Sequence, residues 1–215
     1  MGSDILTVSG TSINGNNNIE WASNVSVGIF PGAPDVQGLV GMDIGSYPNF
    51  LDIAYQNNQI STPIFSLELN FANQTSYLHY NNGLPQFITQ NIAWIPQQQN
   101  QNGYWQTALT SLTLGGVNLT SFSTSSAIID SGTSAVAFNQ ALYNAVISNF
   151  FSTPECFNDP NNNNLRTCYC NNTWPSFVFN FSSTMSVNMS SQYYKYPSPI
   201  GDGFCFMEIF PMNFN

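Results

Sequence analysis

The chain has 215 residues, 42% of them hydrophobic and 14% aromatic, which is ample for a packed core and excludes an intrinsically disordered chain. Only 6% are charged, and the net charge is -9 with two basic residues, Arg166 and Lys195. Nucleic acid and anionic membrane surfaces are gripped by clustered Lys and Arg, so both are excluded as partners.

In chain order, short runs rich in β-branched and aromatic residues predict strands at 5–8, 25–30, 64–69, 77–80, 92–95, 109–114, 127–129, 135–138, 177–181 and 205–209. Gly, Asn and Pro punctuate them. Two segments have helical spacing instead. Residues 49–56 place Phe50, Ile53 and Ala54 on one face. Residues 140–150 do the same with Leu142, Ala145, Val146 and Phe150, and Asn139 stands ready as N-cap. Many strands and few helices predict an all-β fold. The Asn/Gln tracts 14–18, 97–102 and 161–164 read as loop insertions, because such polar tracts build no core. The polar break at 97–103 marks a two-part organisation with its boundary near 85–95, written as 1–88 and 89–215.

The four cysteines, Cys156, Cys168, Cys170 and Cys205, form an even set in the C-terminal third. Beside N-x-S/T sequons at Asn24, Asn73, Asn118, Asn171, Asn180 and Asn188, they point to an oxidising compartment, two disulfides and a glycoprotein. Four cysteines allow three pairings. A metal site is not expected: Cys168 and Cys170 are spaced too tightly for a zinc knuckle, and the lone His79 is remote in sequence. No other cofactor is implied. No apolar run reaches the roughly 20 residues that span a membrane. Met1-Gly2-Ser3-Asp4 leads directly into an alternating stretch rather than a signal peptide, which reads as a chain beginning inside a longer protein.

The chemistry concentrates at Ala127-Ile128-Ile129-Asp130-Ser131-Gly132-Thr133-Ser134-Ala135-Val136. An apolar strand runs into a tight turn carrying one carboxylate, and a second apolar strand follows. Gly132 allows close backbone approach, while Ser131 and Thr133 supply hydroxyls to hold the carboxylate. An ordinary hairpin also places Asp and Gly in its turn. An acidic group wedged between two buried strands, however, is costly unless it serves a purpose.

This stretch resembles the second active-site turn of the pepsin-like aspartic proteases, family A1, which reads hydrophobic-hydrophobic-Asp-Ser/Thr-Gly-Thr-Ser. Other segments agree in order. Gln37-Gly38-Leu39-Val40-Gly41-Met42 is similar to the hydrophobic-hydrophobic-Gly element of the family's first lobe. The stretch from Ser61 through Leu69 resembles a strand entering the interlobe sheet, and Ile92-Ala93-Trp94-Ile95-Pro96 the opening of the second lobe. Tyr104-Trp105-Gln106, followed by Leu112-Thr113-Leu114-Gly115-Gly116, resembles the Tyr-Trp-Gln strand and hairpin. Trp174-Pro175-Ser176-Phe177-Val178-Phe179 matches the Leu-Pro-x-Ile-x-Phe strand.

The resemblance implies a bilobal pepsin-like fold, with an incomplete first lobe (1–88) and most of the second (89–215) in one peptidase domain. It implies an aspartic endopeptidase acting on peptide or protein substrates, without cofactor, as a monomer, in the secretory pathway: extracellular or in an acidic lysosome or vacuole. Asp130 would be the second catalytic carboxylate. Ser131, Gly132, Thr133 and Ser134 would support its turn, Thr133 by bonding the outer oxygen and Ser131 by a cross-lobe contact. Tyr104 and Leu39 would line the substrate cleft, although plain core packing accounts for both equally well. Cys168 or Cys170 paired with Cys205 would be the second-lobe disulfide, and the other would join Cys156.

The family uses two aspartates, and none of the 11 acidic residues besides Asp130 stands in an Asp-Ser/Thr-Gly turn. Asp43-Ile44-Gly45 comes nearest but has Ile in place of a hydroxyl. Nor does a hydrophobic-hydrophobic-Gly-Asp segment follow Asp130 before Asn215. One lobe's Asp turn and the other lobe's supporting element together predict a fragment of an acid protease, inactive alone. Two other readings stand beside it: a secreted noncatalytic binding protein on a protease scaffold, and a homodimer supplying Asp130 twice. The homodimer lacks the supporting element each subunit would need after its own turn.

Overall fold

The structure is a computed structural model, and it describes residues 4–12, 15–23, 42–44, 48–68, 77–81, 92–99, 102–122, 125–133, 135–160, 165–201 and 203–212. It divides into two compact units: Met1–Ile92 with Asn100–Tyr104, and Ala93–Gln99 with Trp105–Asn215.

In the first unit, β1 (Asp4–Ser12) and β2 (Gly15–Ser23) pair antiparallel along their whole length, from Asp4↔Ser23 to Ser12↔Gly15. Residues 15–18 of the predicted 14–18 loop are therefore strand. Asn disfavours strands by its side chain, but an adjacent full-length partner supplies the ladder of backbone bonds that decides the conformation. Helix α1 (Phe50–Gln56) forms within the predicted 49–56 segment, and Asn49 is its N-cap. Its Oδ1 accepts from the N–H groups of Leu51 and Asp52, and Asp52 returns a bond to the Asn49 N–H, closing a capping box. Phe50, Leu51 and Ala54 bury with Ile60 in a small core, and Met42, Ile53, Phe65 and Tyr80 pack around it. Strands β3 (Phe65–Glu68) and β4 (Tyr77–Tyr80) form a second antiparallel pair, with His79 Nε2 3.1 Å from Glu68 Oε2 on it. The strand predicted at 25–30 lies outside the described residues.

The second unit opens without the strand predicted at 92–95. Trp94 is 74% exposed there, and pairing begins with an isolated bridge from Gln97 to Thr107. Strand tendency reflects a pleated surface to pack on, and residues 92–95 have no ladder partner. Chain order continues with β5 (Gln106–Ala108), β6 (Ser111–Leu114), β7 (Val117–Asn118), β8 (Ser126–Ile128), β9 (Val136–Phe138) and α2 (Gln140–Phe150). Then follow β10 (Cys156–Asp159), β11 (Leu165–Tyr169), β12 (Phe177–Asn180), β13 (Ser186–Met189), β14 (Lys195–Pro197), β15 (Phe204–Met207) and β16 (Ile209–Pro211). The single strand expected at 205–209 is thus two, broken at Glu208, whose N–H turns aside to the Tyr194 carbonyl at 2.8 Å.

Two four-stranded sheets, ordered β13-β12-β6-β7 and β10-β11-β15-β14, accompany the pairs β5-β8 and β9-β16. Their common core includes Leu112, Leu114, Leu119, Val146, Phe177, Tyr194, Met207 and Ile209, all essentially inaccessible. Asn139 caps α2 by accepting the Leu142 N–H at 2.8 Å, and Leu142, Ala145 and Val146 are its buried face. The disulfides are Cys156–Cys168 and Cys170–Cys205. Among the described residues the α-helices are α1 and α2, and the fold is all-β. No helix there is long and apolar enough to cross a membrane.

Candidate active site

Asp130 sits just beyond β8, which pairs with β5 (Gln106↔Ile128). One further backbone bond, from Ile129 N–H to the Trp105 carbonyl at 2.9 Å, carries the pairing to the edge of the turn. The chain then folds over its own carboxylate. Gly132 N–H donates to Asp130 Oδ1 at 2.7 Å, and the Thr133 hydroxyl donates to Oδ2 at 2.5 Å. Each carboxylate oxygen is thereby held by one donor from within the turn, which fixes the plane of the group. A carboxylate offers about four acceptor sites, so each oxygen keeps capacity for a further partner. Gly132 suits the close approach: a Cβ at this position would stand 3.2 Å from Asp130 Oδ1, tighter than ordinary contact, so the carboxylate would have to shift by a few tenths of an ångström.

Beyond the turn, β9 runs parallel to β16 with Val136↔Ile209 and Pro211↔Phe138 in register. The Val136 N–H bonds to the Glu208 carbonyl at 3.1 Å, and Phe138 accepts from Met212 N–H at 2.7 Å. Phe138 and Ile209 anchor this pair in the core. The turn is thus suspended between an antiparallel entry strand and a parallel exit strand.

The flanks differ from the buried strands expected of them. Ile129 is 59% exposed, Ile128 is exposed, and Asp130 itself lies at the surface of its unit. The carboxylate therefore carries no burial cost in this unit; Ile128 stands in the last β5–β8 register pair and Ile129 one residue past it, and both side chains are exposed. Neither of the chain's two cations is committed to the turn. Arg166 donates to the Phe151 carbonyl and to Asn158 Oδ1, and Lys195 reaches the Cys170 carbonyl and the Trp174 ring.

Of the residues singled out in the sequence, Asp130, Gly132 and Thr133 come together in hydrogen-bonded contact, and Ser131 is exposed at the apex. Ser134 and Leu39 lie outside the described residues. Tyr104 is an exposed side chain in the first unit, whereas Asp130 belongs to the second. Two backbone contributors escaped sequence reading: the Trp105 carbonyl and the strand β16. The Tyr104-Trp105-Gln106 motif carried a signal for the first. The second had none, since a partner so distant in sequence leaves no local pattern. Among the described residues no group of three or more His, Cys, Asp or Glu side chains is placed to hold a metal.

A family model for eukaryotic aspartyl protease matches residues 1–215. The chain belongs to the pepsin-like family of aspartic proteases. Pepsin A of Gallus gallus is 28% identical over 148 residues, covering 66% of this chain and 40% of that relative. Pepsin A of Suncus murinus is 25% identical over 188 residues, covering 83% of this chain and 46% of the relative. The chain thus spans less than half the length of these curated relatives. Within the family frame, the Asp130 turn has the hydroxyl and glycine that its motif requires, and the two disulfides resolve the pairing that the resemblance left open.

Proposed function

We propose that the protein carrying this sequence is an aspartic endopeptidase in which Asp130 is one of two catalytic carboxylates. The observation that carries the reading is the Asp130 carboxylate itself, exposed and gripped on both oxygens by Gly132 N–H and the Thr133 hydroxyl. Two carboxylates sharing one proton divide the work, because like charges so close do not both ionise. The ionised one takes a proton from water, whose oxygen adds to the scissile carbonyl carbon. The protonated one donates to the carbonyl oxygen, and the C–N bond then breaks as the amine takes up a proton. This is general acid–base catalysis with no covalent enzyme intermediate. The second carboxylate comes from outside these 215 residues, since Asp130 is the chain's one Asp-Ser/Thr-Gly aspartate.

In this reading Ser131, Gly132, Thr133 and Ser134 support the Asp130 turn, and Tyr104 and Leu39 line the cleft for an extended peptide. Residues 1–88 and 89–215 belong to successive lobes of one peptidase domain. The protein works as a monomer. Two disulfides are compatible with the secretory pathway, with the product extracellular or in an acidic lysosome or vacuole.

The test is cleavage of a peptide with bulky apolar residues flanking its scissile bond, followed across the acid range. Native protein should cleave it, and Asp130→Asn should lower the rate by about 10²–10⁴-fold or more. The 215-residue chain by itself should be inert. Acid proteolysis that survives Asp130→Asn in full would sink the reading. Native protein that binds peptides without cleaving them would establish the noncatalytic alternative.

A further inference from the structure

Outside the proposed site, β11 ends in a turn built with unusual redundancy. The Tyr169 carbonyl accepts both the Asn172 N–H at 3.1 Å and the Trp174 indole N–H at 3.2 Å. Cys170 is held by its disulfide to Cys205 and by its N–H to the Gly203 carbonyl at 2.8 Å. The sequon Asn171-Asn172-Thr173 lies on this locked turn, with Asn171 and Thr173 both exposed. Two residues before the acceptor asparagine stands Tyr169. Its ring stacks on Phe204 with centroids 4.7 Å apart and planes at 25°, Phe204 meets Phe157 edge-on at 5.7 Å, and Tyr169 remains 44% exposed. One face of the ring is packed and solvent reaches the rest.

We infer that Asn171 is an N-glycosylation site and that the first saccharide of its glycan packs on the exposed face of Tyr169. The transfer joins Asn171 Nδ2 to the anomeric carbon of the saccharide. It breaks that carbon's bond to the pyrophosphate of a lipid-linked donor, and the amide proton leaves with the lipid pyrophosphate. The apolar C–H face of a pyranose then extends the Phe157–Phe204–Tyr169 stack by one ring, with the partial positive charge of the C–H groups against the negative π face. Because the turn is fixed before the sugar docks, little ordering entropy opposes the contact.

The other sequons in the described residues lack this combination. Asn180 lies in β12 between two neighbouring strands, and its Nδ2, the atom that would be modified, donates to Ser111 Oγ at 2.7 Å. Asn118 uses its Oδ1 to hold the Thr120 N–H at 2.8 Å, and Gly116 stands two residues before it. Asn188 is exposed on the edge strand β13, but the residue two before it is Ser186.

The inference rests on passage through the secretory pathway, and the experiment separates the two. The chain is secreted from a eukaryotic host, treated with peptide N-glycosidase in ¹⁸O water and mapped by mass spectrometry. Asn171 should convert to ¹⁸O-labelled aspartate. Thr173→Val, which removes this acceptor alone, should lower Tm by about 2–4 °C in the glycosylated protein and leave the deglycosylated protein unchanged. That difference should persist in Tyr169→Phe and vanish in Tyr169→Leu, which keeps apolar bulk on Phe204 but has no π face. Occupancy of Asn188 with Asn171 bare would overturn the inference alone. A secreted chain bare at every sequon would overturn it and the glycoprotein expectation together. A Thr173→Val effect of equal size in Tyr169→Leu would overturn the stacking.

Discussion

A single hydroxyl decides how firmly the Asp130 carboxylate is aimed. Thr133 Oγ1 is the donor to Oδ2, and the turn is exposed, so removing the hydroxyl frees the group without emptying a core. Thr133→Val should leave the denaturation midpoint within experimental error. In the native protein it should lower kcat by about tenfold to a hundredfold, the scale of a misplaced catalytic group. Thr133→Ser should restore most of the activity. A different residue governs alkaline stability. Tyr194 is fully buried, its hydroxyl donates to the Pro175 carbonyl, and burial raises its pKa well above the ordinary 10.0. The unfolded chain gives up this proton near pH 10 while the folded chain keeps it. The stabilisation is therefore complete below about pH 10 and lost as pH rises above it, by at most about 1.4 kcal/mol per pH unit for one proton. Tyr194→Phe should cost about 1–2 kcal/mol at neutral pH through the missing hydrogen bond and should flatten the alkaline limb. Tyr143, raised chiefly by burial and opposed by Arg166, would account for part of the slope that remains. Urea melts across the alkaline range measure both effects.

At the scale of elements, the β6–β7 hairpin shows why two adjacent glycines are not equivalent. Both have positive φ, +54° at Gly115 and +83° at Gly116, as a two-residue hairpin loop with matching twist requires. A Cβ on Gly116 meets nothing within 4 Å, whereas one on Gly115 would stand 2.9 Å from Pro175 Cβ and 3.1 Å from Phe150 Cε1. Gly116→Ala should cost about 1 kcal/mol, the left-handed penalty alone. Gly115→Ala should cost about 2–4 kcal/mol, because Pro175, just ahead of β12, and Phe150 of α2 must also give way. Equal costs in urea denaturation would contradict the close approach. The two helices were legible because their apolar residues recur at helical spacing, and Asn139 announces the second chemically. The Asp130 turn was legible because its hydrogen bonds join residues two and three apart. By contrast, β2 was hidden, since Asn16–Asn18 become strand only by facing β1. Strands β10, β11, β13 and β14 were also hidden: each is short and carries polar residues that become strand only by joining a ladder, β10 on β11, β13 on β12 and β14 on β15. The strand expected at 92–95 failed for the converse reason, having the composition of a strand and no ladder partner among the described residues.

For the whole molecule, scarcity of charge is the controlling fact. There are 11 acidic residues against two Lys/Arg and one His, so at neutral pH the surface repels itself, and the formal net charge of -9 would become +3 (2 + 1) once every carboxylate is protonated. The His79–Glu68 pair is a half-exposed interaction of small worth. Acid therefore removes little attraction and relieves much repulsion. Tm should stay level or rise by a few degrees between about pH 7 and pH 4, and added salt should raise it at neutral pH more than in acid. A steep loss of Tm across that interval would show that carboxylate contacts carry more of the fold than their number implies.

The parallel pairing of β9 with β16 has a consequence in time. A polypeptide leaves the ribosome from its N-terminus, and domains fold as their parts emerge. The entry strand to the Asp130 turn finds β5 early, from residues already made. The exit strand must wait for Ile209–Pro211, after all four cysteines and the whole of the β10-β11-β15-β14 sheet have been synthesised. Vectorial synthesis thus leaves the carboxylate turn half framed for most of the unit's birth, and its exit wall arrives only with β16.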